Sequence, residues 1–479
     1  MEIFCENILK KSVLNKNITE KKVFNFIKGK KIPRRTFFVS LMKYFDNFLS
    51  KGFEPRFIGI YGFMRTGKTT ILWQFADEIL NKFNVNVYFF NVKEIKSQGY
   101  SLVELFKDFE NNILKMKFCD LKRPIVILLD NIDDDENWAY TLDILYDSTN
   151  LVFLVCCGNY LWSSEKTKIN GKMFIEKFYP FKFTEFVIAK LYLNIDAKIL
   201  LPPKGLANEL KEILFFSSSI DEVFSASTIL MDIMKRYLGS IDNLLLNNKI
   251  DILEEYIKFH NYPFLLNIYD FQKIFNELLE LLKQGIVEYD CLIGYKGNLL
   301  YEKILNIMYI IAQTDKIDLQ KISIDSGLGF DEIINLLNFL EINGILFIWT
   351  ENGNLINNDK IRIFFTSPSL RLALLWKKYG KQAHKLFSNF LFEDVIALYL
   401  IRIFYDGHSF LKKIYDFDFN CFVVETLDKP VGITIYDDFK YDIQLKNKFR
   451  YVLLLKKKID KISVVDNCIE IPMKYFFLL

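Results

Sequence analysis

The run Gly62-Phe63-Met64-Arg65-Thr66-Gly67-Lys68-Thr69-Thr70 has the residue types and spacing of a phosphate-holding loop. Gly62, Gly67, Lys68 and Thr69 fit the pattern G-x-x-x-x-G-K-[ST], directly after the apolar run at 57–61 and at the start of a helix-like pattern. Glycines let the backbone curl so that successive N–H groups converge on an anion, and a following helix adds the partial positive charge of its N-terminus. In such a loop Lys68 reaches the β- and γ-phosphates, and the Thr69 hydroxyl ligates Mg²⁺. Every residue from Gly62 to Thr70 is therefore a candidate contact to a nucleoside triphosphate. ATP is the expected one, although the loop reads phosphates and not the base.

A second run, PIVILLDNIDDD, ends an apolar strand on Asp130, which is placed to share the Mg²⁺ with Thr69. Hydrolysis also needs a group that orients or deprotonates the attacking water. The residue after Asp130 is Asn131, which cannot act as a base. D-N-I-D-D resembles the Walker B segment of NACHT-type ATPases, where an acid three residues on is implicated; the resemblance points to Asp133, acting with Lys68 as the catalytic pair. Asp134, Asp135 and Glu136 are expected to be solvated turn residues. A third apolar run ends in CCGN, which sets Asn159 where a polar side chain would sense the γ-phosphate, with a simple turn as the alternative.

These residues need a parallel sheet to align them. Runs at 57–61, 85–92, 125–130 and 151–157 read as strands, the last two apolar throughout, as in a sheet covered on both faces. Helical patterns lie between them, one at 101–116 opened by a Ser101–Glu104 capping box, and the alternation implies a doubly wound α/β domain. Residues 184–295 read as helices. Three helices and a hairpin over 301–365 read as a winged helix, and helices followed by short strands close the chain. The expected division is a basic N-terminal helical region at 1–50, a P-loop ATPase domain at 51–185 and a helical lid at 186–295, then a winged helix at 296–366 and a small α/β domain at 367–479.

Composition narrows the class. With 479 residues, 51% hydrophobic and 25% charged, the chain suits a multidomain globular protein. A net charge of +3 is too even for a surface built throughout to hold nucleic acid. No apolar run approaches the roughly 18 residues of a membrane helix, and the start lacks the features of a secretory signal. A cytoplasmic location without membrane association is expected. The 7 cysteines form no C-x-x-C pair and the 3 histidines do not cluster with them, so reduced core thiols are expected and no zinc site. Lysines and arginines concentrate in residues 1–50, which read as a solvated helix pair leading into the first domain, with contact to a nucleic acid or acidic partner as the alternative. The third winged-helix helix, 331–343, instead carries Asp331, Glu332 and Glu341 with no basic residue, which favours protein packing over DNA reading. If DNA is bound, the basic N-terminal region or the hairpin near Lys360 and Arg362 is the expected contact.

From about residue 57 the chain resembles archaeal and bacterial P-loop ATPases of the AAA/STAND type that carry a winged helix and a C-terminal PD-(D/E)XK nuclease-like domain. The resemblance rests on GFMRTGKTTIL, on LLDNID, on Cys157-Gly158-Asn159, and on INGKMFIEKFYPFKFTEF. IRIFFTSPSLRLALL, FLFEDVIALYL and CIEIPMKYFFLL extend it. It implies a nucleotide-driven ATPase that self-associates around its nucleotide. Two departures qualify it. Asn131 stands where that family has glutamate. At its nuclease positions V-D-F-V and I-E-V-K this chain has Asn420-Cys421-Phe422-Val423 and Ile433-Thr434-Ile435-Tyr436, which lack the carboxylates and lysine of metal-dependent cleavage. Asp442–Lys446 is only superficially a relocated motif.

The expected function is thus a slow Mg²⁺-dependent ATPase working as a conformational switch, with an unidentified protein partner. A non-hydrolysing, ATP-bound scaffold is the first alternative, and an ATP-gated nuclease the second.

Overall fold

In the computed structural model the described residues are 8–25, 29–159, 171–194, 200–245, 251–293, 298–314, 317–350, 361–404, 415–416, 418–426, 428–436 and 447–479. The chain divides into two compact units, Met1–Tyr179 and Pro180–Leu479. Lys360, the hairpin tip at 351–360 and the Asp442–Lys446 segment lie outside the described residues.

The first unit is built on a parallel sheet in the order β4-β5-β6-β3-β7, from strands β3 (Phe57–Tyr61), β4 (Asn86–Asn91), β5 (Ile125–Asp130), β6 (Val152–Gly158) and β7 (Phe174–Lys177). Successive side chains of a strand point to opposite faces. Ile125, Ile127, Leu129, Leu154 and Cys156 accordingly join a core with α4 (Val92–Ser97), α5 (Leu102–Phe109) and α6 (Trp138–Ser148). Val126, Leu128, Phe153, Val155 and Cys157 join a second core with α2 (Phe37–Lys51) and α3 (Lys68–Lys82). Both faces are dry, which is why these runs show no polar alternation. β7 has no such signal because all four of its residues are partly exposed.

One expectation for this unit needs correction. The helix at 101–116 opens with the Ser101–Glu104 capping box, yet its α-helical part ends at Phe109 and gives way to a π turn at Glu110–Leu114, stopped by Lys115 in the left-handed region. Residues 8–51 belong to the same compact unit as the parallel sheet. They hold α1 (Lys16–Val23), a two-residue strand pair, β1 (Phe24–Asn25) with β2 (Lys30–Lys31), and α2, whose Phe45 packs edge-on against Phe75, Phe83 and Phe153 at 5.2–5.6 Å. Part of the basic charge is spent internally: Lys31 pairs with Asp77 at 3.1 Å and Arg34 with Glu78, both acids on α3.

The second unit begins with helices, α7 (Phe183–Asn194), α8 (Leu206–Phe216), α9 (Ile220–Leu245), α10 (Ile252–Lys258) and α11 (Phe271–Ile293). Three more, α12 (Asn298–Gln313), α13 (Leu319–Ser326) and α14 (Phe330–Ile342), precede the antiparallel pair β8 (Leu346–Thr350) and β9 (Ile361–Phe365). Helices α15 (Pro368–Tyr379), α16 (Ala383–Leu386) and α17 (Ser388–Phe404) lead into a six-stranded mixed sheet. Its strands, β10 (Tyr415–Asp416), β11 (Cys421–Val424), β12 (Val431–Thr434), β13 (Val452–Lys456), β14 (Ser463–Val465) and β15 (Cys468–Pro472), run in the order β10-β11-β12-β13-β15-β14, and α18 (Met473–Phe476) follows. Among the described residues no helix is long and apolar enough to cross a membrane.

Charged side chains cross-link this unit from inside. Arg362 of β9, only 3% exposed, pairs with Glu393 of α17 at 2.6 Å, and Glu393 also accepts from the Tyr436 hydroxyl at 2.9 Å. Arg371 of α15 grips Asp394 through two hydrogen bonds of 2.7 and 2.9 Å, while Asp394 accepts the Phe365 amide. Buried charges are retained only when paired in this way. Arg362 is therefore no nucleic-acid contact, contrary to the sequence expectation: it faces a carboxylate in the interior.

Candidate nucleotide site

The glycine-rich loop joins the end of β3 to the first turn of α3. Its path depends on Gly62, where a Cβ would lie 2.3 Å from the Phe178 carbonyl oxygen. Next to it the Phe178 amide donates to the Tyr61 carbonyl at 2.6 Å. Inside the curl the Lys68 ammonium donates to the carbonyls of Gly62 and Phe63 at 2.6 and 3.0 Å and to Asn159 Oδ1 at 3.0 Å. Thr66 is fully buried, and its hydroxyl closes the loop onto the Phe63 carbonyl at 2.9 Å. Arg65 holds a left-handed backbone and is exposed.

Thr69, at the start of α3, donates its hydroxyl to both Asp130 oxygens at 2.9 and 3.1 Å. Burial pushes the Asp130 carboxyl upward; the Thr69 hydrogen bond and the Lys68 charge oppose that shift. The pair offers an all-oxygen donor set, the kind that suits a hard cation such as Mg²⁺. A cradle with no room for a side chain at Gly62, a buried ammonium and a hydroxyl–carboxylate pair together fit a Mg²⁺–nucleoside triphosphate.

Asp133 lies beyond Asp130 on a 3₁₀ turn, Ile132–Asp134, and accepts the Asn159 backbone amide. Gly158 makes the approach feasible, because a Cβ there would fall 1.9 Å from Asp133 Oδ1. The structure thus brings Asp133, Asn159 and Lys68 into one chain of hydrogen bonds. Asn131 has a physical role of its own: its backbone is left-handed at φ 54°, which asparagine tolerates better than most residues, and its amide donates to Asn91 Oδ1 at 3.3 Å.

Three features escaped the sequence. Asp135, expected in solvent, is 1% exposed and accepts the amides of Leu102 and Asn137 at 2.7 and 2.9 Å, tying the turn to the start of α5. The Gly158–Asp133 fit depends on a contact between separate segments. Arg35 donates to the Thr66 carbonyl of the loop and to the Tyr179 carbonyl, both at 2.9 Å. No motif marks that arginine, because its partners are backbone oxygens. Of the cysteines, Cys156, Cys157, Cys421 and Cys468 are buried as expected, while Cys119 is exposed.

Residues 54–187 match the family model of an AAA domain. The matched segment contains the five-stranded parallel sheet and the glycine-rich loop, and is similar to an AAA domain. An uncharacterised protein of Methanocaldococcus jannaschii is 23% identical over 436 residues, covering 89% of this chain and 85% of its own. Among solved structures, the Aeropyrum pernix ORC1 protein in complex with DNA covers 77% of this chain and 97% of its own, at 11% identity and a TM-score of 0.32. DnaA from Aquifex aeolicus bound to AMPPCP covers 65% and 89%, at 15% identity and a TM-score of 0.27. Neither structural likeness bears on the substrate or partner of this chain.

Proposed function

We propose that this protein is a slow Mg²⁺-dependent ATPase that uses its nucleotide cycle as a conformational switch. The observation that carries the reading is the single hydrogen-bonded path from Lys68 through Asn159 to Asp133, beside the Thr69–Asp130 pair. Backbone amides from Gly62 to Thr70 would cradle the phosphates, with Lys68 on the β- and γ-oxygens. Thr69 and Asp130 would hold Mg²⁺, which when bound neutralises charge on the phosphate oxygens. Asn159 reads the terminal phosphate, and Asp133 orients and deprotonates water.

One observation favours a second reading, in which ATP is held without turnover. Asn131 occupies the position next to Asp130 and is bonded to Asn91, which leaves the activation of water to Asp133. Single-turnover and steady-state phosphate release with Mg²⁺–ATP, run beside binding on wild type and Lys68→Ala, separates the two. Sustained release with binding lost in Lys68→Ala supports the ATPase; tight binding with no release supports the scaffold.

For the second unit we propose a helical lid at 186–295, a winged helix at 296–366 built from α12–α14 and β8–β9, and a nuclease-like remnant at 367–479. Tyr436, at the position of the nuclease lysine, donates its hydroxyl to Glu393, and Thr434 is buried. This arrangement supports packing rather than metal-dependent cleavage. We place the protein in the cytoplasm, self-associating around nucleotide and working on a protein partner. Nucleic acid would be met through the N-terminal region outside Lys31, Arg34 and Arg35, whose side chains are committed within the unit.

A further inference from the structure

We infer that Arg35 is a positioning residue that transmits the state of the phosphate loop to the crossover between the two units; the inference rests on the nucleotide-binding reading above. One guanidinium nitrogen, Nη1, donates to the carbonyls of Thr66 and Tyr179, each at 2.9 Å. Thr66 belongs to the loop, and Tyr179 is the last residue of the first unit. The guanidinium also lies over the Phe178 ring, 4.3 Å from its centroid.

The Thr66 carbonyl and the Gly67 amide belong to one planar trans peptide, so they point in opposite directions. The Gly67 N–H is one of the donors with which a loop of this type cradles phosphate. By holding the carbonyl, Arg35 sets the plane of that peptide. Any rotation that aims the N–H at a phosphate oxygen moves the carbonyl, and with it the hydrogen bond that Tyr179 shares. Phe178 reinforces the link, since its amide bonds Tyr61 and its carbonyl abuts Gly62.

Arg35 is itself anchored. The segment before it is held on α3 by Lys31–Asp77, by Arg34–Glu78 and by Gln74, whose amide donates to the Ile32 and Pro33 carbonyls at 2.9 and 3.2 Å. On the other side of the crossover, residues of the second unit grip the chain at once. Arg402 donates to the Pro180 carbonyl, the Tyr256 hydroxyl to Phe181 at 2.7 Å, and the Phe183 amide to the Tyr399 hydroxyl at 2.8 Å. Pro180, Phe181 and Phe183 are thus held within the second unit, while Tyr179 is held within the first by Arg35.

Hydrogen–deuterium exchange on the full chain, with and without saturating Mg²⁺–AMPPCP, tests this in wild type, Arg35→Gln and Arg35→Lys. In wild type the nucleotide should change exchange both in the loop peptide and in the peptide spanning 176–184. In Arg35→Gln, whose neutral side chain ends short of the position of the Arg35 Nη1, the loop should still respond at saturation while the 176–184 response is lost. Arg35→Lys, which keeps charge and donors, should recover part of it. A crossover response that survives in Arg35→Gln overturns the inference. So does a wild type whose loop responds while 176–184 does not, an outcome that needs no folded variant. If wild-type loop and crossover are both unmoved and calorimetry finds no AMPPCP binding, it is the nucleotide-binding reading that has failed.

Discussion

Asp133 has two candidate jobs, and its contacts suggest how to separate them. It accepts the amide of Asn159, whose side chain in turn accepts from Lys68, so it could act on water directly or by placing Asn159. An asparagine at 133 can still accept that amide but cannot take a proton. With Asp133 as the base, Asp133→Asn and Asp133→Ala should both cut single-turnover hydrolysis by about 10²-fold or more while ATP binding persists. Full activity in Asp133→Asn with loss in Asp133→Ala would make it a positioning residue instead. Gly158→Ala gives an independent check. Its new Cβ would overlap Asp133 Oδ1, and the carboxylate, at the free end of its side chain, must swing away. Turnover should fall toward the level of Asp133→Ala with the melting temperature little changed; wild-type turnover would show that the carboxylate is not needed where it lies. At this scale Lys68 and Thr69 could be placed from the spacing within one strand–loop–helix unit, and Asp130 and Asn159 from their positions at the ends of two apolar strands. Gly158, Arg35 and Asp135 were not, since each gets its role from a partner remote in sequence.

Two elements draw their stability from charges that the linear pattern misplaces. In Ile361–Phe365 the apolar residues flank Arg362, which then reads as a solvent-facing position. A second layer, α17, covers that side and supplies Glu393. Removing one partner of a buried pair strands the other charge, so Glu393→Ala should destabilise the second unit by about 3–5 kcal/mol. The double change Arg362→Met with Glu393→Leu should recover much of that loss in thermal unfolding; an equal loss in both would mean that packing, not the stranded charge, sets the cost. The N-terminal segment behaves differently because its acid, Glu78, is buried while the basic partners that reach it, Arg34 and Lys82, are exposed. Burial raises the Glu78 carboxyl, but hydrogen bonds from Lys82 and Arg34 outweigh it and hold the group below the usual carboxylate range. A folded value below the unfolded one means the stabilisation is complete above the ordinary carboxylate range and is lost as pH falls through the lowered value. Amide protection at residues 31–35 should therefore weaken with acid in wild type, and lose that dependence in Glu78→Gln. An unchanged profile in the variant would assign the weakening to another group. The basic run had suggested an outward-facing patch; what it could not show is that α3 presents Asp77 and Glu78 to it.

For the whole molecule, the division at Tyr179 and Pro180 has a consequence for where the chemistry lies. Every residue assigned to phosphate, metal or water, from Gly62 to Thr70 with Asp130, Asp133 and Asn159, belongs to the first unit, and so does Arg35. The unit also keeps two cores of its own, one on each face of its sheet. Residues 1–179 expressed alone should then unfold cooperatively and bind Mg²⁺–ATP within about tenfold, or about 1.4 kcal/mol, of the full chain. A folded fragment that fails to bind would show that the second unit supplies ligands the site requires, and the assigned set would be incomplete. Turnover is a separate question. If the crossover carries the nucleotide state to the second unit, freeing Tyr179 from Pro180 should leave binding intact while changing the rate of phosphate release. Equal release rates in fragment and full chain would mean that the second unit neither gates the site nor works against it. Parallel-sheet architecture and the phosphate loop were readable from local periodicity, because strand and helix patterns repeat within a few residues. The gathering of helices, hairpin and terminal sheet into one unit was not, for it rests on buried pairs such as Arg371–Asp394 that join positions the linear pattern keeps apart.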